Sequence, residues 1–152
     1  MSATPVPAHF PEVLRQFPLA GRHVSAAPYG SGHINDTFVV HQDAGGSAPK
    51  RYIAQRINHQ IFKNVPALME NVQRVTAHLG AKTGPHSRAL ALVAAADGRP
   101  VIQDAFGGWW RVYHFVEGAH TVDRVTNEAE AREAARAFGD FQAQLADLPG
   151  GR

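Results

Sequence analysis

The residues with the clearest chemical potential gather in one stretch, Tyr29-Gly30-Ser31-Gly32-His33-Ile34-Asn35-Asp36-Thr37-Phe38-Val39-Val40. Gly30 and Gly32 carry no Cβ, so their backbone N–H groups can approach a ligand closely. A concave run of such groups suits phosphate oxygens. The residues that follow, Thr37-Phe38-Val39-Val40, favour a strand over a helix. A dinucleotide-binding turn must instead open a helix, and it needs a third glycine near the place where this chain has Asn35. The pattern predicts a β-hairpin whose glycine-rich tip can lie over the phosphates of a nucleotide. Glycine hairpins that bind nothing are common, so the rest of the chain must decide between the two readings.

Composition narrows the classes. The chain has 152 residues, of which 44% are hydrophobic and 18% charged, enough for one domain with a real core. Fifteen basic against 13 acidic residues leave a formal charge of +2, too small an excess to argue for nucleic acid or a membrane surface as partner. With no cysteine there is neither a disulfide framework nor a thiolate metal site, which fits a reducing cytoplasm. No apolar run approaches the ~20 residues of a membrane span. The start, Met1-Ser2-Ala3-Thr4-Pro5, lacks the basic-then-apolar pattern of a signal peptide. The expected location is therefore cytoplasmic. The nine histidines are scattered, without a helical i, i+4 pair, and this argues against a metal-binding protein.

The elements that must position the glycine tip can be read in order. Phe10, Val13, Leu14 and Phe17 recur at helical spacing in a short helix that Pro18 and Gly21 end. Strands follow at His23 to Tyr29, Asp36 to Gln42 and Arg51 to Ile57, joined as an antiparallel meander. Asn64-Val65-Pro66 starts a second helix with a capping side chain and a proline in the first turn. Its apolar stripe is Leu68, Val72, Val75 and Leu79, and Gly80 with Gly84-Pro85 should stop it. Extended runs come next at Ala89 to Ala95, Pro100 to Ala105 and Trp109 to Val116, with a turn at Asp97-Gly98. Alternation along the last run sends one of Trp109 and Trp110 out of the core. Residues 127–148 form the strongest helix, with Asn127-Glu128-Ala129-Glu130 as a capping box and Ala134, Phe138, Phe141, Leu145 and Leu148 as its stripe. That stripe needs a cover, expected from another copy of the chain or from a lobe that the chain lacks.

This order of elements resembles the amino-terminal lobe of the protein-kinase-like fold. More narrowly it resembles the aminoglycoside phosphotransferase superfamily, in its N-acetylhexosamine 1-kinase-like branch. The likeness rests on Gly30 to Thr37, Gln55-Arg56-Ile57-Asn58, Phe62-Lys63-Asn64, Leu68 to Val72, Arg74 to Leu79 and Tyr113 to Gly118. It implies an α+β fold: a five-stranded antiparallel sheet with one packed helix, preceded by a short helix and followed by the first helix of a missing second lobe. The division implied is a tail and short helix at 1–21, a nucleotide-binding lobe at 22–117, and a hinge with that first helix at 118–152.

The resemblance also implies ATP-dependent transfer of a phosphoryl group to a small sugar or alcohol, in this branch carbon 1 of an amino sugar. Magnesium would accompany ATP, with its ligands on the second lobe. In such a protein Gly30, Ser31, Gly32, His33 and Ile34 would cover the phosphates, and Asn35 would tie the tip. A third-strand cation would reach the phosphates, which leaves a choice of register at Gln55-Arg56. Arg56 shares a face with Tyr52 and Ala54, Gln55 with Ile53 and Ile57, and the reading favours Arg56. A helix carboxylate would pair with the cation: Glu70 by type, with Asn71 as the rival nearer the stripe. Adenine would be read by the backbone of Phe115, Val116 and Glu117.

The family's catalytic loop reads His-x-Asp followed by Asn, with a later Asp for magnesium, and no such loop is recognised in this chain. These 152 residues are accordingly expected to transfer nothing by themselves, as a fragment or a truncated gene product. Two alternatives stand beside this reading. One is a non-catalytic kinase-like module that oligomerises through the 127–148 helix. The other is a phosphotransferase of aminoglycoside, choline or homoserine type.

Overall fold

The computed structural model describes residues 4–46, 48–83, 90–119 and 122–150. Helix α1 (Phe10–Leu14) begins with Pro11 in its first turn, where a missing N–H costs nothing. It closes through single turns, with the Phe17 N–H donating to Leu14 O. Strands β1 (Arg22–Pro28), β2 (Asp36–Asp43) and β3 (Lys50–Ile57) form the expected antiparallel meander, with Phe38 opposite Ala54. Helix α2 (Val65–Thr83) follows, and the Asn64 side chain accepts from the Ala67 N–H at 3.1 Å, as its capping role requires. Strand β6 (Trp109–His114) adds to β3, and the short strands β4 (Leu92–Val93) and β5 (Ile102–Gln103) lie along its other edge.

The sheet thus has six strands in the order β1-β2-β3-β6-β4, with β5 also on β6, rather than the expected five. The difference has a simple origin. β4 pairs with Val112 and Tyr113 while β5 pairs with Trp109 and Trp110, so the two share one edge of β6. The chain leaves that edge between them for a turn at Asp97-Gly98, where the Ala95 N–H donates to Arg99 O and Gly98 takes φ +83°. The pieces are shorter than the runs 89–95 and 100–105 suggested, and Ala89 lies outside the described residues.

Two helices cover the sheet, not one. On one face α1 meets Phe38, Val40, Tyr52, Ala54, Trp110 and Val112, and its Phe10, Val13, Leu14 and Phe17 are all buried there. On the other face α2 meets Ile57 and Val101 through Val65 and Met69. The expected stripe is borne out in part: Leu79 is buried, and Leu68 and Val72 pack against this same cluster. Val65 and Met69 are fully covered, whereas Leu68, Val72 and Val75 are only half-buried. Gly80 does not end α2, which continues to Thr83. The last turn is held from outside, because His78 and Lys82 both reach Asp147 beyond helix α3 (Glu128–Leu145). The other expected stop, Gly84-Pro85, lies outside the described residues.

Asn127 caps α3, accepting from the Glu130 N–H at 2.9 Å, while the Glu130 carboxylate reaches back to the Thr126 N–H at 2.8 Å. Only the end of this helix packs. Ala134, Phe138 and Phe141 are exposed, and Leu145 and Leu148 are half-buried.

One carboxylate organises the β5–β6 turn. Asp104 accepts from the Trp110 Nε1–H (2.6 Å), the Gly108 N–H (2.8 Å) and the Phe106 N–H (2.9 Å), and lies 3.1 Å from His9 Nε2. A Cβ on Gly108 would stand 2.6 Å from its Oδ2. Burial pushes the Asp104 carboxyl up, but the Trp110 indole, the two amides and His9 outweigh it and hold the group below the ordinary carboxylate range. A carboxyl lowered in the folded state stabilises the fold above its unfolded value, and that contribution is lost as pH falls through the folded one. Asp104→Ala should therefore cost about 1–3 kcal/mol at neutral pH, because the buried Trp110 N–H loses its acceptor. It should also flatten the fall in stability below about pH 4. Urea denaturation of both proteins at pH 7 and pH 3 measures this, and a difference that is unchanged between the two pH values would contradict it.

Candidate functional site

The glycine tip is built as the sequence suggests. The Tyr29 N–H donates to Thr37 O at 2.9 Å, closing the hairpin, and the chain runs from Gly32 into β2 without a helical turn. Gly30 takes φ +80°, a conformation that other residues reach only with strain. Gly30, Ser31, Gly32, His33 and Ile34 are all exposed. The Asn35 side chain accepts from the Asn58 N–H at 3.0 Å and so fastens the tip to the end of β3. Ser31 Oγ donates to Asp123 at 2.7 Å, drawing the tip toward the segment after β6.

The pleat of β3 separates the remaining candidates. Arg56 projects with Tyr52 and Ala54 to the α1 side, and Gln55 projects with Ile53 to the α2 side, as alternation requires. Arg56 pairs with Asp36, Nε–H to Oδ2 at 2.8 Å and Nη2 to the same oxygen at 2.6 Å. It lines a hollow of about 380 Å³ with His33, Ile34, Asn58 and Asp104. Ala54 is wholly buried, because α1 fills that face of the sheet. The expected Arg56–Glu70 pair is absent for the same reason: α2 lies on the opposite face. Glu70 is exposed, Asn71 lines an open groove, and the α2 side chains fully buried against the sheet are Val65 and Met69.

On the α2 side a different set converges. A hollow of about 400 Å³ is walled by Tyr29, Ile53, Gln55, Tyr113, Phe115 and Val116. Its rim is the segment 115–119 after β6, the expected hinge. The Phe115 N–H donates to Arg51 O, and the Arg51 guanidinium carbon lies 3.9 Å from the Phe115 ring centre. Arg51 is paired with Glu117, and the bond from Arg51 holds the Glu117 carboxyl below its ordinary range. Tyr29 closes the other side of Phe115, edge to face at 5.7 Å. Among the described residues the backbones of Val116 and Glu117 take no partner, so the rim keeps free donors and acceptors. Burial raises the Tyr113 hydroxyl above its ordinary value, against the opposing effect of Arg111.

At the back of this hollow sits a residue that sequence reasoning missed. Arg111 donates from Nε to Gln55 Oε1 at 3.0 Å, and Gln55 Nε2 donates to Thr37 Oγ1 at 3.0 Å. The signal was present: the alternation that buries Trp110 and leaves Trp109 half-exposed also puts Arg111 and Tyr113 on the α2 face. Beyond Arg111 the hollow opens into a groove of about 960 Å³ between α2 and α3, lined by Leu68, Val72, Val75 and Phe141. Leu68, Val72 and Val75 belong to the expected α2 stripe.

One His-x-Asp triplet does occur, His41-Gln42-Asp43. It lies in β2 and not on a loop, with Gln42 buried and Asp43 opposite Arg22. The next asparagine is Asn58, at the far end of β3, so the triplet is not the family's catalytic loop.

Residues 25–152 match the model of the phosphotransferase enzyme family (APH), a range that begins within β1 and runs through the glycine tip to α3. The chain therefore belongs to the phosphotransferase enzyme family.

Proposed function

We propose that this chain is the nucleotide-binding half of an ATP-dependent small-molecule kinase, with adenine in the hollow on the α2 side. The observation that carries the reading is the aromatic wall of Tyr29, Tyr113 and Phe115 beside a rim with unused backbone groups. A flat, apolar base with hydrogen-bonding edges suits such a site. The hollow on the α1 side suits it less, because its one arginine is already neutralised and the Asp36 carboxylate would repel phosphates.

Phosphoryl transfer needs positioning and charge neutralisation more than covalent chemistry from the protein. In this reading the exposed amides of Gly30 to Ile34 close over the phosphates, with Asn35 fixing the tip. Magnesium would neutralise phosphate charge. Among the described residues no group of three or more His, Asp or Glu side chains is placed to hold it, so none is assigned. The acceptor proposed is a sugar hydroxyl, as in the N-acetylhexosamine 1-kinase-like branch; an aminoglycoside, choline or homoserine type of acceptor is the alternative. The reading assigns nucleotide binding to these 152 residues and no catalytic residue among them. It places the protein in the cytoplasm, where ATP is available, and no helix among the described residues is long and apolar enough to cross a membrane.

Titration of the full chain with a fluorescent ATP analogue tests this. Saturable binding is expected, weakened roughly tenfold by Phe115→Ala or Tyr29→Ala, in line with about 1–3 kcal/mol for a stacked base. Arg56→Met should leave it unchanged. Loss of binding in Arg56→Met with retention in the other two variants would move the site to the α1 side.

A second reading has its own observation. Phe138 is 72% and Phe141 43% exposed on a helix with no buried residue. Such an uncovered stripe favours pairing of two chains through α3. Light scattering should then show a dimer that Phe138→Glu with Phe141→Glu converts to a folded monomer. A wild-type monomer at high micromolar concentration would set this reading aside.

A further inference from the structure

The three arginines that β3 and β6 turn toward the sheet faces differ in one respect. Arg51 is paired with Glu117 and Arg56 with Asp36, whereas Arg111 has no carboxylate within ion-pair distance among the described residues. Its contacts are the Gln55 carbonyl oxygen at 3.0 Å, Met69 Sδ at 3.6 Å and the Tyr113 ring, whose centre is 5.2 Å away. None carries a charge. Asp140 lines the adjoining groove, but its bond is to Arg136 on its own helix. Arg111 is half-buried and lines both the hinge-side hollow and the groove.

A partly desolvated guanidinium has five N–H donors and a charge that calls for an anion. Gln55 occupies one donor, and a thioether is a weak acceptor. Thr37 fixes the Gln55 amide from the other side, so the guanidinium is held from β2, β3 and α2 at once. A group held in this way is pre-organised for a bidentate anion and has little rotamer freedom left to lose.

We propose that Arg111 is the cation that receives the phosphate chain of the bound nucleotide, with Gln55 and Met69 as positioning residues. The proposal rests on the nucleotide reading of the hinge-side hollow. It moves the phosphate-facing charge from β3, where a glutamine stands, to the neighbouring strand.

Calorimetric titration of the full chain with ATP and with adenosine separates the two claims. The wild-type chain should bind both, ATP more tightly. In Arg111→Met, which keeps an apolar filling beside Met69, the preference for ATP should fall by roughly tenfold or more while adenosine affinity stays within about twofold. Arg111→Lys should be intermediate, because it keeps the charge and loses the fork. Circular dichroism confirms that each variant is folded. An undiminished preference for ATP in Arg111→Met overturns the proposal. Equal loss of both ligands in a folded Arg111→Met also overturns it, since Arg111 would then shape the hollow and not the phosphate site. If the wild-type chain binds neither ligand, the nucleotide reading fails and the assignment of Arg111 goes with it.

Discussion

The structure depends on the pleat of β3. This strand is paired on both sides, with β2 and with β6, so its side chains can only point up or down. A one-residue change of register would exchange Ala54 and Gln55. It would put an amide under α1 and remove the centre of the polar row on the other face. Both consequences are costly. The α1 side is close-packed around Phe10, Phe38 and Trp110, whose ring centres lie 5.3–6.0 Å apart. An amide there would have no partner. The two faces therefore specify each other, and the site inherits its register from a core on the opposite side of the sheet.

The polar row on the α2 side follows from the same constraint. Thr37, Gln55 and Arg111 stand side by side on three adjacent strands, with Thr37 opposite Gln55 and Gln55 opposite Arg111. Cross-strand neighbours on one face are close enough for direct side-chain hydrogen bonds, and here Arg111 donates to Gln55 and Gln55 donates to Thr37. Such a row would be expensive if half-satisfied. It is tolerated because each link has a partner and because Met69 covers it with a soft, polarisable atom instead of a charge. A glutamate at that place on α2 would have neutralised Arg111. The neighbouring Glu70 is turned to solvent instead, and the guanidinium keeps its charge.

Much of this was legible in the sequence. The meander, the helix caps at Asn64 and Asn127 and the glycine tip come from local rules: turn chemistry, capping and period-two alternation; the tie through Asn35 comes from the family resemblance. The pairing of faces on β3 was legible too, since alternation groups Arg56 with Tyr52 and Ala54. Which face is open was not. That depends on α1, a five-residue helix whose Phe10, Val13 and Leu14, with Phe17 just beyond, read as a peripheral tail yet fill one side of the sheet. Once α1 takes the Ala54 face, Arg56 is left at the rim beside Asp36, and the proposed ligand face is the other. The share that Val65 and Met69 take in covering the sheet was missed for a related reason. They form a two-residue contact too short to register as a stripe, whereas the longer stripe of Leu68, Val72, Val75 and Leu79 meets the same cluster through Leu68 and Val72 and also lines the groove beside α3.

The location of the positive charge carries the last step. Adjacent strands are about 4.8 Å apart, so a cation on β6 begins one strand farther from the glycine tip than a cation on β3 would. An arginine side chain is long enough to offset that distance, and its planar fork can take two phosphate oxygens where an ammonium group takes a point contact. Placed behind Gln55, it also acts from the floor of the hollow and leaves the wall at Ile53 and Phe115 apolar for a base. The glutamine on β3 then has a defined role as the amide that aims the arginine. In the proposed assignment, a chain without a third-strand cation toward its ligand face retains the electrostatics of a phosphate site by moving the charge sideways.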